Sequence, residues 1–183
     1  MIVEKVKGIL LIPWVKVIRA DKKGTFEKWL TDEDRQILSR TVLASSWYPL
    51  STYQNIFTAV SVVVAKDSEE VLFKWGYDAS VELLTGAYKN IIVKGSPTKS
   101  LKKYLIIREL FSNTGKIEVE VKGEKSAILS LGGYPSDFKY LYWLIRGWCT
   151  RLLEYASAKQ VQSKFLNRSW EGAPNVTIEY TWS

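Results

Sequence analysis

Residues 116–131 have the sequence KIEVEVKGEKSAILSL, and this stretch decides the fold class. Residues 116–121 alternate polar and apolar side chains with a period of two, which is typical of a half-buried β-strand. After Gly123, the run from 126 to 131 predicts the second strand of a hairpin. The apolar residues of the first strand should share one buried face: Ile117, Val119 and Val121.

A long amphipathic helix and a second hairpin should follow. Pro135 with Ser136-Asp137 predicts the helix start, and we expect the helix to cover residues 137–156. Two further strands are predicted at 160–170 and 176–182, joined by a turn at 171–174. The inner stripe of the helix has helical spacing and consists of Phe138, Leu141, Tyr142, Ile145, Trp148, Cys149, Leu152 and Ala156.

The residues before the first hairpin are predicted to be mainly helical. The apolar run at 8–15 indicates a core helix, and Thr31 with Asp34 three residues later indicates a helix N-cap. Apolar residues from Leu72 to Ile91 recur at intervals of three and four and predict another helix. Gly76 interrupts that stripe, which indicates either close packing against another element or a kink.

The order of these elements predicts an α+β fold, in which N-terminal helices pack on an antiparallel sheet built as hairpin-helix-hairpin. Strands do not alternate with single helices, so a doubly wound parallel sheet is disfavoured. The length of 183 residues and the 46% hydrophobic content suit one domain with a sizeable core. We therefore expect a single domain, 1–183, with a mainly helical part at 1–112 and the hairpin-helix-hairpin part at 113–183.

The composition excludes several kinds of site. The chain has no histidine and one cysteine, Cys149, which excludes a His-containing catalytic triad, a structural zinc site and a histidine-ligated haem. The glycines do not form a phosphate-binding loop. We expect no catalytic residue, no metal site and no cofactor, and a single cysteine favours a cytoplasmic location.

A weak catalytic pattern occurs at Ser100-Leu-Lys-Lys103, which has the Ser-x-x-Lys spacing of some serine acyltransferases. The companion motifs of those enzymes are missing from the sequence. A serine that caps a helix beside solvated lysines explains the pattern better than a nucleophile.

Positive charge is concentrated between residues 139 and 168, although the net charge of the chain is only +7. Such a face could contact phosphates of a nucleic acid. A solvated face is favoured, because Arg146 and Arg151 should lie on the helix side away from the apolar stripe. The six basic residues are Lys139, Arg146, Arg151, Lys159, Lys164 and Arg168.

The second half of the chain resembles the 4-vinyl reductase domain. The resemblance rests on the glycine-containing helix segment 145–154, the segment 167–172 that turns at a glycine, and the closing Tyr180-Thr-Trp182 strand. Residues 44–49, Ala-Ser-Ser-Trp-Tyr-Pro, followed by the Tyr53 helix, resemble an uncharacterised bacterial relative, best known from myxobacteria, in the same superfamily.

That superfamily includes haem-NO-binding sensor domains, aromatic-sensing input domains and TRAPP tethering subunits. The resemblance implies a helical layer over an antiparallel sheet, a hydrophobic pocket between them and frequent homodimers. Its haem branch needs an axial histidine, which this sequence lacks. Its zinc branch needs cysteines at positions where this sequence has Ser169 and Val176.

These observations predict a non-enzymatic sensor domain that holds a small apolar or aromatic ligand between helix 137–156 and the sheet and signals through dimerisation. The alternatives are a protein-interaction subunit with a filled core and, third, nucleic-acid binding by the basic face 139–168. The predicted ligand-binding residues offer ring faces with polar groups and are Trp143, Tyr142, Phe138, Trp47 and Tyr53.

Overall fold

The computed structural model describes residues 4–183, and the chain packs as two compact units. The first unit contains residues 4–68 together with 109–114. The second contains residues 69–108 together with 115–183, which include the whole predicted hairpin-helix-hairpin.

The first unit contains three helices and a short antiparallel pair of strands. Helix α1 packs on helix α3, where the Trp14 and Phe57 ring centroids lie 4.7 Å apart, and strands β1 and β2 pair antiparallel. The elements are β1 Lys5–Lys7, α1 Gly8–Ala20, α2 Asp32–Leu38, β2 Trp47–Pro49 and α3 Leu50–Val63, with a 3₁₀ turn at Glu27–Trp29.

Helix α2 begins with the capping box that the sequence predicts. The Thr31 hydroxyl accepts a hydrogen bond from the Asp34 amide at 3.2 Å, and the Asp34 carboxylate accepts one from the Thr31 amide at 2.9 Å. The same carboxylate accepts a bond from the Asn55 side chain of α3 at 2.8 Å. Asp34 is buried, and the two hydrogen bonds that its carboxylate accepts satisfy it there. Through Asn55, the cap also joins α2 to α3.

The second unit is a four-stranded antiparallel sheet with three helices. The strand order is β3-β4-β6-β5, which confirms the α+β class and the two predicted hairpins. The elements are α4 Glu69–Thr85, α5 Pro97–Arg108, β3 Lys116–Gly123, β4 Ser126–Gly132, α6 Lys139–Tyr155, β5 Gln162–Asn167 and β6 Val176–Thr181, with 3₁₀ turns at Lys89–Ile91 and Ser169–Glu171.

Helices α4 and α6 touch through a reciprocal pair of glycines. A Cβ atom on Gly76 would lie 1.9 Å from the Leu144 carbonyl oxygen, and one on Gly147 would lie 1.9 Å from the Phe73 carbonyl oxygen. No real Cβ atom tolerates such a distance, so only glycine allows these backbones to meet. Of the two explanations for Gly76, close packing is confirmed, because α4 continues through it.

The side of α6 that faces the sheet is completely packed. Cys149 and Leu152 of α6, like Leu129, Ile178 and Tyr180 of the strands, have no exposed surface. Burial raises the pKa of the Cys149 thiol to about 12, and burial also raises the pKa of Tyr180 well above its usual value. The gap between helix and sheet is therefore filled by protein side chains.

Several element boundaries differ from the predictions. Helix α4 ends at Thr85, and Ile91 lies in a 3₁₀ turn, because the chain turns at Gly86 before the apolar stripe ends. Val121, which the alternation predicts to be buried, is 43% exposed, because β3 is an edge strand whose register shifts after Val121. Helix α6 begins two residues late, at Lys139, and β5 ends at Asn167 before Trp170.

We expect Gly147→Ala to lower the free energy of unfolding by about 2–3 kcal/mol, because the new methyl group must displace the α4 backbone. Urea unfolding monitored by circular dichroism measures the change. Gly123→Ala is the matched control, since a Cβ atom on Gly123 would meet no other atom within 4 Å. Equal stabilities of the two variants would contradict the helix contact.

The buried thiol should make stability depend on alkaline pH. The unfolded Cys149 ionises near its ordinary pKa of 9, whereas the folded thiol keeps its proton up to about 12. Between these values the unfolded state binds fewer protons, so the free energy of unfolding should fall as pH rises, by up to about 1.4 kcal/mol per pH unit from this group.

Urea unfolding of the native chain and of Cys149→Ala, across a pH series that rises through 9, measures this effect. The decline should be shallower in the variant, and Tyr180 should account for part of what remains. Parallel curves for the two proteins would show that Cys149 ionises as easily in the folded state as in the unfolded one.

Candidate functional site

The five predicted ligand-binding residues are divided between the two units. Trp47 and Tyr53 belong to the first unit, where Trp47 is 42% exposed with the Lys7 ammonium 4.2 Å from its ring centroid. Tyr53 is buried and stacks on Phe57 with ring centroids 5.7 Å apart. The other three lie in the second unit at the start of α6 and are buried: Phe138, Tyr142 and Trp143.

Trp170 brings Tyr142 and Trp143 together in an aromatic cluster. Its ring stacks on Tyr142 at a centroid distance of 5.7 Å and meets Trp143 edge-on at 6.3 Å and Phe165 edge-on at 5.3 Å. Tyr140 adds an edge contact to Trp143 at 5.7 Å. We call these five residues the Trp170 cluster. It combines α6, β5 and the 3₁₀ turn that follows β5.

Sequence reasoning missed three members of this cluster: Tyr140, Phe165 and Trp170. The helical stripe does not include Tyr140. The pattern of a strand does not indicate which helix residues the aromatic side chains of that strand contact. The one signal in the sequence is a large ring placed just before the Glu171-Gly turn, where a polar residue is more usual.

Contacts of the residues before and after Trp170 fix the turn that carries it. The Ser169 hydroxyl donates a hydrogen bond to the Ser136 carbonyl oxygen at 2.9 Å, and Arg168 pairs with Glu171 at 2.9 Å. Gly172 has a φ of +98°, a left-handed conformation that favours glycine and reverses the chain. Trp170 itself is only partly buried, so it forms the outer wall of its cluster.

The Trp170 cluster contains one unsatisfied polar group. The indole nitrogen Nε1 of Trp143 is buried and has no hydrogen-bond partner among the described residues. The Tyr142 hydroxyl, by contrast, donates to the Pro135 carbonyl oxygen at 3.4 Å, and burial raises the pKa of Tyr142 above its usual value. A buried N–H without a partner costs free energy that a hydrogen-bond acceptor would recover.

The interpretation of Arg146 as a solvated residue is wrong. Its guanidinium binds the Glu69 carboxylate of α4 and lies between the Phe73 ring, at 5.0 Å, and the Phe165 ring, at 5.2 Å. Only 18% of its side chain is exposed. The glycine contact causes this, because it brings α4 close enough to cover this side of α6.

Arg151 is covered in the same way. Its guanidinium donates to the Tyr77 hydroxyl at 2.6 Å and to Glu154 at 3.1 Å, and Tyr77 donates to Glu154 at 2.5 Å. Burial, followed by the neighbouring Glu154 carboxylate, raises the pKa of Tyr77. Since Lys164 pairs with Glu179 at 2.9 Å, much of the predicted basic face is locally neutralised.

Two surface clefts contain none of the predicted ligand-binding residues in their linings. The larger, of about 560 Å³, lies in the second unit between Leu105 of α5 and the outer strand β3, where Ile117 and Val119 line it. The smaller, of about 230 Å³, lies in the first unit beside Arg40 and Tyr48.

Ser100 does not have the environment of a nucleophile. Its hydroxyl is fully buried, accepts a hydrogen bond from the Val93 amide at 2.8 Å and donates to the Ser96 carbonyl oxygen at 3.4 Å. Ser100 is thus structural, but it is the fourth residue of α5 and does not occupy the predicted capping position before the helix. Within residues 4–183, no three acidic or cysteine side chains are grouped so that they could hold a metal ion.

None of the helices in residues 4–183 combines the length and the apolar character that crossing a bilayer requires.

No protein-family model matches the chain, and no curated protein matches it. Several solved structures, however, are similar to the chain. The unliganded Fe(II) H-NOX protein from K. algicida has 11% sequence identity and a TM-score of 0.68, with 97% of this chain and 96% of that chain covered. An H-NOX protein from S. oneidensis in the Fe(II)NO state has 14% identity and a TM-score of 0.64, with coverage of 97% and 99%.

An oxygen-binding H-NOX domain related to soluble guanylate cyclases has 10% identity and a TM-score of 0.61, with coverage of 97% and 95%. At these identities the likeness concerns the fold alone. The resemblance to the superfamily of haem-NO-binding domains is thus confirmed at the level of the fold, whereas the nearer resemblance to 4-vinyl reductase domains stays a prediction. The chain has the fold of the H-NOX domains.

Proposed function

We propose that this chain is a non-enzymatic sensor domain that uses the H-NOX fold, as one domain, to bind a small apolar or aromatic ligand without haem. The ligand would lie at the Trp170 cluster, and a homodimer would transmit the signal. The fold supports a sensor role because the neighbours are H-NOX proteins, two of them solved with NO or oxygen.

The observation that carries the proposal is the unpartnered Nε1 of Trp143. Ligand sites are mostly apolar and contain a few well-placed polar groups that orient the ligand. The Trp170 cluster has this composition, with ring faces from Tyr142 and Trp170 and one buried donor, Trp143 Nε1, that has no hydrogen-bond partner among the described residues. A flat ligand that displaces Trp170 from Tyr142 would keep the stacking and accept the indole hydrogen bond.

The fold implies haem as the bound group, because one of the similar solved structures concerns heme distortion in the H-NOX family. Protein ligands of haem iron are histidine, cysteine thiolate, methionine or tyrosinate. The chain has no histidine, and its one thiol, Cys149, is fully buried against the sheet with a pKa of about 12. Burial also raises the pKa values of Tyr142 and Tyr180, which opposes tyrosinate formation. Cys149, Tyr142 and Tyr180 are therefore unsuitable as ligands of haem iron.

A second candidate is an interaction subunit with a filled core. The observation in its favour is the packing of α6 on the sheet, where Leu152 and Leu129 have no exposed surface. In that case Trp170 is a permanent part of the core. Nucleic-acid binding, the third prediction, loses support because Arg146, Arg151, Lys164 and Arg168 all have acidic partners.

The ligand proposal predicts that Trp143→Phe weakens binding of acceptor-bearing rings about tenfold, the effect of one lost hydrogen bond. The probes are isoquinoline, which has one acceptor, and naphthalene, which has none. Quenching of tryptophan fluorescence and thermal shift measure binding. Trp29→Phe, which removes an indole outside the cluster, is the matched control.

The native chain should prefer isoquinoline to naphthalene, and Trp143→Phe should lose this preference. Binding of neither probe, or an equal preference in both proteins, would contradict a ligand site at Trp143. It would favour the filled-core candidate instead.

The haem argument predicts that added ferric haem gives no absorption band of an axially coordinated iron. The measurement is a haem titration of the native chain beside Cys149→Ala, with absorption and magnetic circular dichroism recorded. A coordinated spectrum in the native chain that disappears in Cys149→Ala would show a thiolate ligand. That result would contradict the inaccessibility of Cys149.

A further inference from the structure

We propose that the outer strand β3 is the homodimer interface and that it pairs antiparallel with β3 of a second copy, with Glu118 opposite Glu118. This inference deepens the dimer part of the proposed function, on which it rests, and is independent of the ligand. The observation behind it is an edge strand with a repeating charge pattern that borders the larger surface cleft.

The outer edge of β3 is available for pairing. In the part of the chain that the structure describes, β3 pairs with β4 alone, so the backbone N–H and C=O groups of its other edge have no strand partner. Edge strands of this kind are templates for strand addition. The 560 Å³ cleft lies along the same strand, and its lining residues are Leu105 of α5, Ile117, Glu118, Val119 and Glu120 of β3, and Ser130 of β4.

The side chains of the cleft suit an added strand with alternating residues. Ile117 and Val119 share the sheet face on which α5 packs, and Ile106, next to Leu105, is 69% exposed. A second strand would place its own apolar residues on this face and cover them. On the opposite face the added strand would meet Glu118 and Glu120, so its polar residues should include lysine.

The strand β3 satisfies these requirements itself. Its residues 116–122 read Lys-Ile-Glu-Val-Glu-Val-Lys, which is nearly the same in both directions. In an antiparallel pair centred on residue 118, Lys116 lies opposite Glu120 of the second copy, and Ile117 lies opposite Val119 of the second copy. Because of the two-fold axis, each of these favourable pairs occurs twice.

Other registers are less favourable. Centring on Val119 would place Lys116 opposite Lys122 and Glu118 opposite Glu120, so every polar pair would join like charges. Centring on Glu120 would extend the pairing into the register shift between Val121 and Gly123.

The register centred on 118 contains one pair of like charges, Glu118 with Glu118. Each of these carboxylates already has the Lys116 ammonium of its own strand at 2.5 Å, which offsets the repulsion. The pairing therefore uses residues 116–120, the regular part of the strand.

A disulfide tests this register directly. Opposed residues of an antiparallel pair have Cα atoms about 4.5–5.5 Å apart, within the range for a disulfide. Glu118→Cys should therefore form a covalent dimer under mild oxidation, whereas Lys122→Cys, on the same face but outside the pairing, should not. Cys149 is buried and does not interfere. Non-reducing electrophoresis and intact mass measure the product.

Charge reversal tests the same pairing without a covalent bond. Size-exclusion chromatography with light scattering should show a dimer for the native chain and at least a tenfold weaker dimer for Lys116→Glu. The double variant Lys116→Glu with Glu120→Lys should recover the dimer. Lys125→Glu is the matched control, because it makes the same change in charge at an exposed position in the turn after β3, outside the pairing, and should leave the dimer intact.

A native chain that is monomeric at every concentration would overturn the interface and the dimer part of the proposed function together, while leaving the isoquinoline result at Trp143 unaffected. A stable native dimer that is insensitive to Lys116→Glu, or weakened by Lys125→Glu instead, would overturn this interface alone. Circular dichroism of each variant checks that the sheet is retained.

Discussion

The contact between Gly76 and Gly147 is the constraint on which the second unit depends. At this contact, a carbonyl oxygen of each helix occupies the place that a Cβ atom would take on the glycine of the other helix. No side chain fits between the two helices at that point. The polar residues of α6 on either side of the contact therefore have to pack against α4. Arg146 meets Glu69 and Phe73, and Arg151 meets Tyr77, because no solvent-filled gap separates the helices.

With α4 on one side and the sheet on another, α6 has most of its circumference covered. The sheet side is filled by small and medium side chains such as Cys149 and Leu152, which leave no space for a ligand there. Large rings are concentrated at the beginning of the helix, where the turn after β5 closes over it with Trp170. Space for a ligand at the Trp170 cluster therefore depends on movement of that turn, which the Ser169 hydrogen bond and Gly172 hold in place.

The sequence predicted the features that short-range periodicity determines. The strand at 116–121, the long helix after Pro135 and the Thr31 cap each depend on neighbours a few residues apart, and all three elements are present, although Val121 is exposed. Trp170 stacks on Tyr142, which is 28 positions away in the sequence, and Arg146 binds Glu69, which is 77 positions away. Periodicity carries no information about such partners, so the cluster was only partly predicted and Arg146 was placed on the wrong surface.

The ion pairs of α6 also change the meaning of the overall charge. A net charge of +7 is a sum over composition, but Arg146 is largely enclosed with Glu69, and Arg151 shares its hydrogen bonds with Glu154 and Tyr77. Charges neutralised over such short distances contribute little to the electrostatic potential a few ångströms outside the protein. A polyanion approaching this helix would therefore experience a much weaker attraction than the net charge of the chain suggests.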